Sequence, residues 1–238
     1  MTNELAGRLA VVTGASRGIG AATAVALAAR GAHVILTART AGGLEEVEEK
    51  IHRSGGSATI APLDLLDEDS IARLAQAVAS RWQRLDILVL NAAMLGTLTP
   101  VPHIDGKEFD RLIALNVIAN QRLIAAFDPL LRQGVSPRLI ALTSSVAAKP
   151  RAYWGAYGAS KAALETLVLS YADELRNISE LRAAIVDPGA TATQMRARAF
   201  PGEDPATLKT ADVVGQAIAV LAGQAFETGH RLRVEAQA

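Results

Sequence analysis

The sequence predicts an α/β protein, a single-domain doubly wound parallel sheet of about seven strands with helices on both faces. Three features predict it. Short apolar, β-rich runs alternate with longer Ala/Leu-rich stretches of helical period. Most of the short runs are apolar on consecutive residues, as strands covered on both faces must be. A glycine triplet, TGASRGIG from Thr13 to Gly20, falls where the first strand gives way to the first helix.

In chain order the strands are expected at Leu9–Thr13, His33–Thr37, Ala58–Pro62, Ile87–Leu90, Leu139–Thr143, Ala183–Val186 and Arg231–Val234. Helices are expected near 19–30, 43–54, 68–83, 106–133, 156–177 and 210–222. Regular alternation of the two implies right-handed βαβ units in one open sheet. No repeat, low-complexity tract or linker divides residues 1–238, so one domain is expected. The least regular stretch is 189–210, GATATQMRARAFPGEDPATLKT, rich in small, charged and Pro/Gly residues. Such a segment inside a compact domain is expected to be a functional lid over a substrate, with a solvated surface loop as the plainer alternative.

Composition narrows the function. The 238 residues are 50% apolar, enough for one sizeable core. Lys plus Arg (24) balances Asp plus Glu (24), so no net field favours nucleic acid or an anionic membrane. Cysteine is absent, which excludes disulfides, thiolate metal sites and a Cys nucleophile. His33, His52, His103 and His230 are scattered, so no metal is expected. Neither a signal peptide nor a membrane-spanning run is apparent, and a soluble cytoplasmic protein is the expectation.

The glycines at the first strand–helix junction follow a Gly-x3-Gly-x-Gly pattern. Gly14 permits a tight turn, while Gly18 and Gly20 let the backbone and helix approach a pyrophosphate at the helix N-terminus. That context makes the triplet a Rossmann-type dinucleotide fingerprint, with Ser16, Arg17 and Ile19 in the same turn. After the second strand an acid would accept hydrogen bonds from the adenosine ribose and repel a 2′-phosphate. Here Thr37, Ala38, Arg39 and Thr40 follow instead. Arg17 and Arg39 could converge on a phosphate, so NADP(H) is expected over NAD(H).

YGASK places Tyr157 and Lys161 four residues apart, on one face of a helix. A lysine among small and apolar neighbours is costly to bury without a use. A nearby ammonium would lower a tyrosine pKa towards the range of a general acid/base. Neither Tyr153 nor Tyr171 has a lysine at this spacing.

Together these motifs resemble the short-chain dehydrogenase/reductase family, in its members of about 250 residues with TGxxxGxG and YxxxK. Asp64 after the third strand, NAA at Asn91–Ala93, LNV around Asn116, SSVA at Ser144–Ala147 and PGAT at Pro188–Thr191 extend the resemblance over the whole chain. RAYWGAYGASK and MRARAFPGEDPATLKT are similar to its YciK-like branch. The resemblance implies that Asp64 and Leu65 meet the adenine, and that Asn91, Ala92 and Ala93 line the adenosine side. It implies Pro188, Gly189 and Thr191 near the nicotinamide and Thr193 near the phosphates. Asn116 would kink its helix and hold a water linking Lys161 to solvent. A strand-end serine would bond the substrate carbonyl.

Ser145 precedes the Val and is the expected serine, although it lies twelve residues before Tyr157 and the family's usual thirteen would select Ser144. Met94 stands where the family usually has Gly, and HRLRVEAQA replaces its usual Gly-rich ending. The implied activity is NADP(H)-dependent interconversion of a small-molecule carbonyl and an alcohol. Tyr157 would transfer the proton, and Lys161 would lower its pKa and bind the nicotinamide ribose. The alternatives are a 3-oxoacyl thioester reductase or a non-catalytic NADP-binding regulator. The pocket is expected to draw on Met94, Leu95, Ala147, Tyr153, Trp154 and residues 190–208, with the two aromatics equally open to a packing role. A homodimer or homotetramer is expected through the long helices.

Overall fold

The structure is a computed structural model that describes residues 3–235. Its strands are β1 (Leu9–Thr13), β2 (His33–Ala38), β3 (Ser57–Pro62), β4 (Ile87–Leu90), β5 (Arg138–Leu142), β6 (Arg182–Asp187) and β7 (His230–Arg233). The helices are α1 (Gly18–Ala28), α2 (Ala41–Arg53), α3 (Glu68–Trp82), α4 (Gly106–Ile113), α5 (Ala119–Leu131), α6 (Ser145–Ala148), α7 (Gly155–Glu174), α8 (Gln194–Ala199) and α9 (Ala211–Gly223). The seven strands form one sheet in the order β3-β2-β1-β4-β5-β6-β7. Every pairing is parallel.

Consecutive apolar residues serve both faces of this sheet because neighbouring side chains on a strand point to opposite sides. Val12 and Leu36 join α1, α2 and α9 in one core layer, around Leu27, Leu44 and Ile218. Val11 and Ile35 join α3, α5 and α7 in the other, around Ile71, Phe127 and Val168. All five residues of β1 are buried. The edge strand β7 carries charged residues and is largely exposed, which blunts an otherwise open edge.

Two stretches depart from the expected elements. The helix expected over 106–133 is interrupted: α4 passes into a π turn at Ala114–Ile118 before α5 resumes the α-helical ladder. The Asn116 side chain clasps the backbone of Met94, accepting from its N–H at 2.9 Å and donating to its carbonyl at 2.9 Å. Asn120 Nδ2 meanwhile donates to the Asn116 carbonyl at 2.9 Å. Side-chain bonds inserted into the ladder in this way stabilise a locally wider turn. The stretch 189–210 is also more ordered than a loop. The Thr193 hydroxyl accepts from the Arg196 N–H at 3.1 Å and caps α8, and Pro205–Thr207 forms a 3₁₀ turn. A bridge between Thr191 and Lys209 ties its base.

The chain's direction across the sheet reverses between β1 and β4, the place where doubly wound sheets open a crevice. Thr13 holds that junction together. Its hydroxyl donates to the Val89 carbonyl at 3.1 Å and accepts from the N–H groups of Asn91 (2.9 Å) and Ala92 (3.0 Å). Among the described residues no helix is long and apolar enough to cross a membrane.

Helix α1 is set against α9 by Gly215, where an added Cβ would lie 2.5 Å from the Ala22 carbonyl carbon. Gly215→Val must therefore push α9 away from α1. The expected cost is about 1–3 kcal/mol of unfolding free energy by urea titration, as for an overpacked core. An unchanged midpoint would show that this contact does not hold α1 in place.

Candidate active site

The glycine turn forms a cradle that side chains would fill. Gly14 has φ +65°, and its Cβ would stand 2.9 Å from Asn91 Nδ2. A Cβ on Gly20 would stand 2.3 Å from the Gly14 carbonyl oxygen. Asn91 Nδ2 closes the floor by donating to the Thr13 carbonyl at 2.7 Å. At the start of α1, Arg17 offers no side-chain acceptor and the first turn holds no acid, which leaves its N–H dipoles for an anion. Helix α2 begins the same way after Thr40. Gly43 lets its first turn meet the cradle, since a Cβ there would be 3.0 Å from Ser16 Cβ. Arg17 and Arg39 are both exposed beside these two helix starts, and Ile19 is half-buried against the core. Two uncapped helix starts, two cations and a glycine floor fit a phosphate-rich dinucleotide.

Along the strand ends, Asp64 Oδ1 accepts from the Leu66 N–H at 3.0 Å, a turn-forming bond, and Leu65 is buried. Ala92 and Ala93 are half-buried after β4. Past β6, Gly189 has φ +60°, and Thr191 Oγ1 donates to the Pro188 carbonyl at 3.0 Å. Thr193 lies across the cradle, with its Cγ2 3.7 Å from where a Gly18 Cβ would be. The crevice thus gathers the glycine turn, the end of β4, the start of α7 and the segment after β6.

Tyr157 and Lys161 are both buried on α7. Lys161 Nζ donates to the Leu142 carbonyl at 2.7 Å and lies 5.8 Å from the Tyr157 ring centroid. Burial pushes its pKa down to about 8, opposed by the charge of Glu165. Tyr157 is raised above the ordinary phenol range by burial and by the charge of Asp187. The sequence expectation of a tyrosine pKa lowered by the lysine is not what this arrangement gives. Its hydroxyl is covered by Met195, whose sulfur lies 3.9 Å away, and desolvation is the largest cause of the rise.

Asn116 reaches the same helix by another route. Its Nδ2 donates to Ser160 Oγ at 3.0 Å, and Ser160 Oγ donates to the Tyr157 carbonyl at 2.7 Å. The π turn is thereby fastened to the turn of α7 that carries Tyr157. The two neighbouring serines differ. Ser144 is extended (φ −157°), half-buried and makes no capping bond, whereas Ser145 begins α6 and is exposed.

A lid of aromatic and thioether groups lies over the tyrosine. Trp154 meets Tyr157 edge-on at 6.0 Å and Phe200 at 5.8 Å between ring centroids. The Arg196 guanidinium stacks on Phe200 at 3.7 Å and is held by Glu203 at 2.5 Å. Tyr153 is 59% exposed and has a left-handed backbone, φ +71°.

The profile of the short chain dehydrogenase family matches residues 8–204. The chain belongs to the short-chain dehydrogenase/reductase family of oxidoreductases. It is 39% identical to the oxidoreductase YciK of Escherichia coli K12 over 211 residues, 87% of this chain and 83% of that one, which places it in the YciK-like branch. A solved short chain dehydrogenase from Pseudomonas syringae superposes with a TM-score of 0.95 at 38% identity, covering 99% of this chain and 97% of that one. Another from Escherichia coli CFT073, complexed with NADPH, superposes with a TM-score of 0.92 at 36% identity, covering 99% and 100%.

The sequence reading placed Met195 and Phe200 only within the 190–208 stretch expected to line the pocket, because their individual places depend on how α8 docks. It passed over Glu165 of this short-chain dehydrogenase, which continues the four-residue step from Tyr157 to Lys161.

The buried lysine gives a pH test. Its folded pKa of about 8 is below the unfolded value, so between pH 8 and about 10.4 the unfolded chain binds more protons. Stability from this group must rise with pH across that window. Relative to Lys161→Met, the wild type should gain unfolding free energy from pH 8 to 10 in urea titrations; a flat difference would show that Lys161 is not desolvated.

Proposed function

We propose that this chain is an NADP(H)-dependent oxidoreductase that interconverts a small-molecule carbonyl and a secondary alcohol, with Tyr157 as general acid/base. The observation that carries the reading is the burial of Tyr157 and Lys161 together at the end of β5, beside the glycine cradle and beneath α8. Gly14, Ser16, Gly18, Ile19 and Gly20 would hold the pyrophosphate, and Arg17 and Arg39 the 2′-phosphate. Asp64 and Leu65 would meet the adenine, Asn91, Ala92 and Ala93 its ribose, and Lys161 the nicotinamide ribose. Pro188, Gly189 and Thr191 would face the nicotinamide and Thr193 the phosphates. When bound, the reduced cofactor supplies a hydride at its nicotinamide.

The protein's own part is to hold the carbonyl and move a proton. Tyr157, kept protonated by its burial, donates to the carbonyl oxygen as charge develops there. The Lys161 ammonium then stabilises the tyrosinate. The Asn116 carbonyl accepts from Asn120 Nδ2 at 2.9 Å, and a water that returns the proton would take its second lone pair. Of the two serines, Ser144 is the better donor to the carbonyl oxygen. Its extended backbone leaves its hydroxyl free of capping, and it stands thirteen residues before Tyr157. This reading replaces Ser145, which the turn into α6 leaves exposed. Trp154, Met195 and Phe200 form the wall against which an apolar substrate would lie. Exposed positions of α5 and α7, such as Ala125 and Thr166, would pair copies into a homodimer or homotetramer.

Two experiments test the reading. NADPH oxidation over a panel of ketones, aldehydes, quinones and 3-oxoacyl thioesters should reveal turnover in the wild type. Tyr157→Phe should then cut kcat about 10²–10⁴-fold while sparing NADPH binding. Ser144→Ala should cut it about 10²–10³-fold and Ser145→Ala far less; appreciable turnover in Tyr157→Phe would remove the proton donor, and a larger defect at Ser145 would restore that serine. Arg39→Ala should weaken NADPH about 10–100-fold, the loss of one or two charge-assisted bonds, with NADH little changed. Equal losses for both cofactors would take Arg39 out of the phosphate site.

A further inference from the structure

Glu165 is a carboxylate buried to 8% exposure inside α7, a placement that is costly unless both oxygens are engaged. Both are. Oε1 accepts from the hydroxyl of Thr143, itself buried, and Oε2 pairs with Arg231 Nη1 of β7 at 2.7 Å. Tyr157, Lys161 and Glu165 follow one another at four-residue steps, so they share one face of the helix. The partners on the sheet are adjacent too. Lys161 binds the Leu142 carbonyl, and Glu165 binds Thr143, the residue before Ser144. Helix α7 is therefore stapled to the end of β5 by two polar contacts one residue apart.

We propose that Glu165 is a positioning residue for the Tyr157–Lys161 pair. It keeps the Lys161 ammonium charged from one turn below and holds the β5 end, with Ser144, against the tyrosine. The inference rests on the proposed oxidoreductase reading. The charged and titratable groups around the pair are Glu165 on α7, whose charge Lys161 feels, Asp187 at the end of β6, whose charge Tyr157 feels, and Arg231 on β7 behind Glu165. The nearest sheet partner is the neutral Leu142 carbonyl, and the π turn contributes the neutral amide of Asn116 through Ser160. Glu165 is thus the carboxylate on the lysine's own helix face, and Arg231 sets how much of its charge the lysine feels. Arg231 is 54% exposed, so this control reaches from the protein surface to the buried pair.

The test is the pH dependence of kcat/KM for carbonyl reduction in wild type, Glu165→Gln, Glu165→Asp, Arg231→Met and Thr143→Val. Glu165→Gln should move the alkaline limb to lower pH by roughly one unit and lower kcat about tenfold at pH 8, with NADPH affinity unchanged. Glu165→Asp should restore part of the limb. Arg231→Met should move the limb upward, because the carboxylate loses its competing cation, and Thr143→Val should lower kcat without moving the limb. An unmoved limb in both Glu165→Gln and Arg231→Met, with only a loss of melting temperature, would make Glu165 a packing residue and overturn the proposal. If Glu165→Gln does not fold, Arg231→Met alone decides. Absence of turnover in the wild type would instead sink the oxidoreductase reading. The Lys161 titration, followed by NMR of its labelled Nζ, would then decide for Glu165: a lower pKa in Glu165→Gln supports the proposal and an equal one overturns it.

Discussion

An ammonium group buried against the end of a β-sheet is the constraint on which this structure turns. Removing such a cation from water costs several kcal/mol even after relaxation. One carbonyl hydrogen bond, from Lys161 to Leu142, and one carboxylate a helical turn away meet part of that cost. The remainder is visible in a lysine pushed down to about 8. Buried, perturbed groups of this kind cluster at functional sites, and in the proposed reaction the phenol four residues away is the group that would use the charge.

Holding the lysine requires that β5, α7 and the π turn stay in fixed relation. The sheet does this through its switch point. Thr13 ties the end of β1 to the start of the segment after β4, and that segment carries Met94, whose backbone the Asn116 side chain grips on both sides. From Asn116 the bonds continue through Ser160 to the carbonyl of Tyr157. The glycine cradle and the tyrosine are therefore joined through a short run of backbone, Ala92 to Met94, that Thr13 holds at one end and Asn116 at the other. Geometry held in this way is what allows donors to face a developing charge without rearranging.

Much of this was legible in the residues. Runs such as LAVVT and ILVL are apolar on both faces because both faces are covered, and β1 and β4 are fully buried as that pattern demands. The cradle was legible because Gly14 and Gly20 stand where a Cβ has no room. The break at Asn116 was legible only through the family resemblance, since the bond that anchors it reaches a residue twenty-two positions earlier that no local periodicity records. The two serines are a related case. Ser144 is extended and half-buried while Ser145 opens α6 and is exposed, a difference set by the turn into α6 that the spacing in sequence does not record. Asp64, which the resemblance sets near the adenine, makes a turn-forming bond to the Leu66 N–H, as a short acid in a loop does.

The lid carries the last step. Met195 covers the Tyr157 hydroxyl at 3.9 Å, the position a substrate oxygen would need for proton transfer. A thioether is a weak acceptor, so this contact desolvates the phenol without a hydrogen bond strong enough to offset the loss, and the tyrosine stays neutral. In the proposed reaction a carbonyl oxygen in the same place would accept a full hydrogen bond and then the proton, and Lys161 would stabilise the tyrosinate left behind. Phe200 stacks on Arg196 and packs against Trp154, so the thioether and the aromatic wall form one cluster around α8.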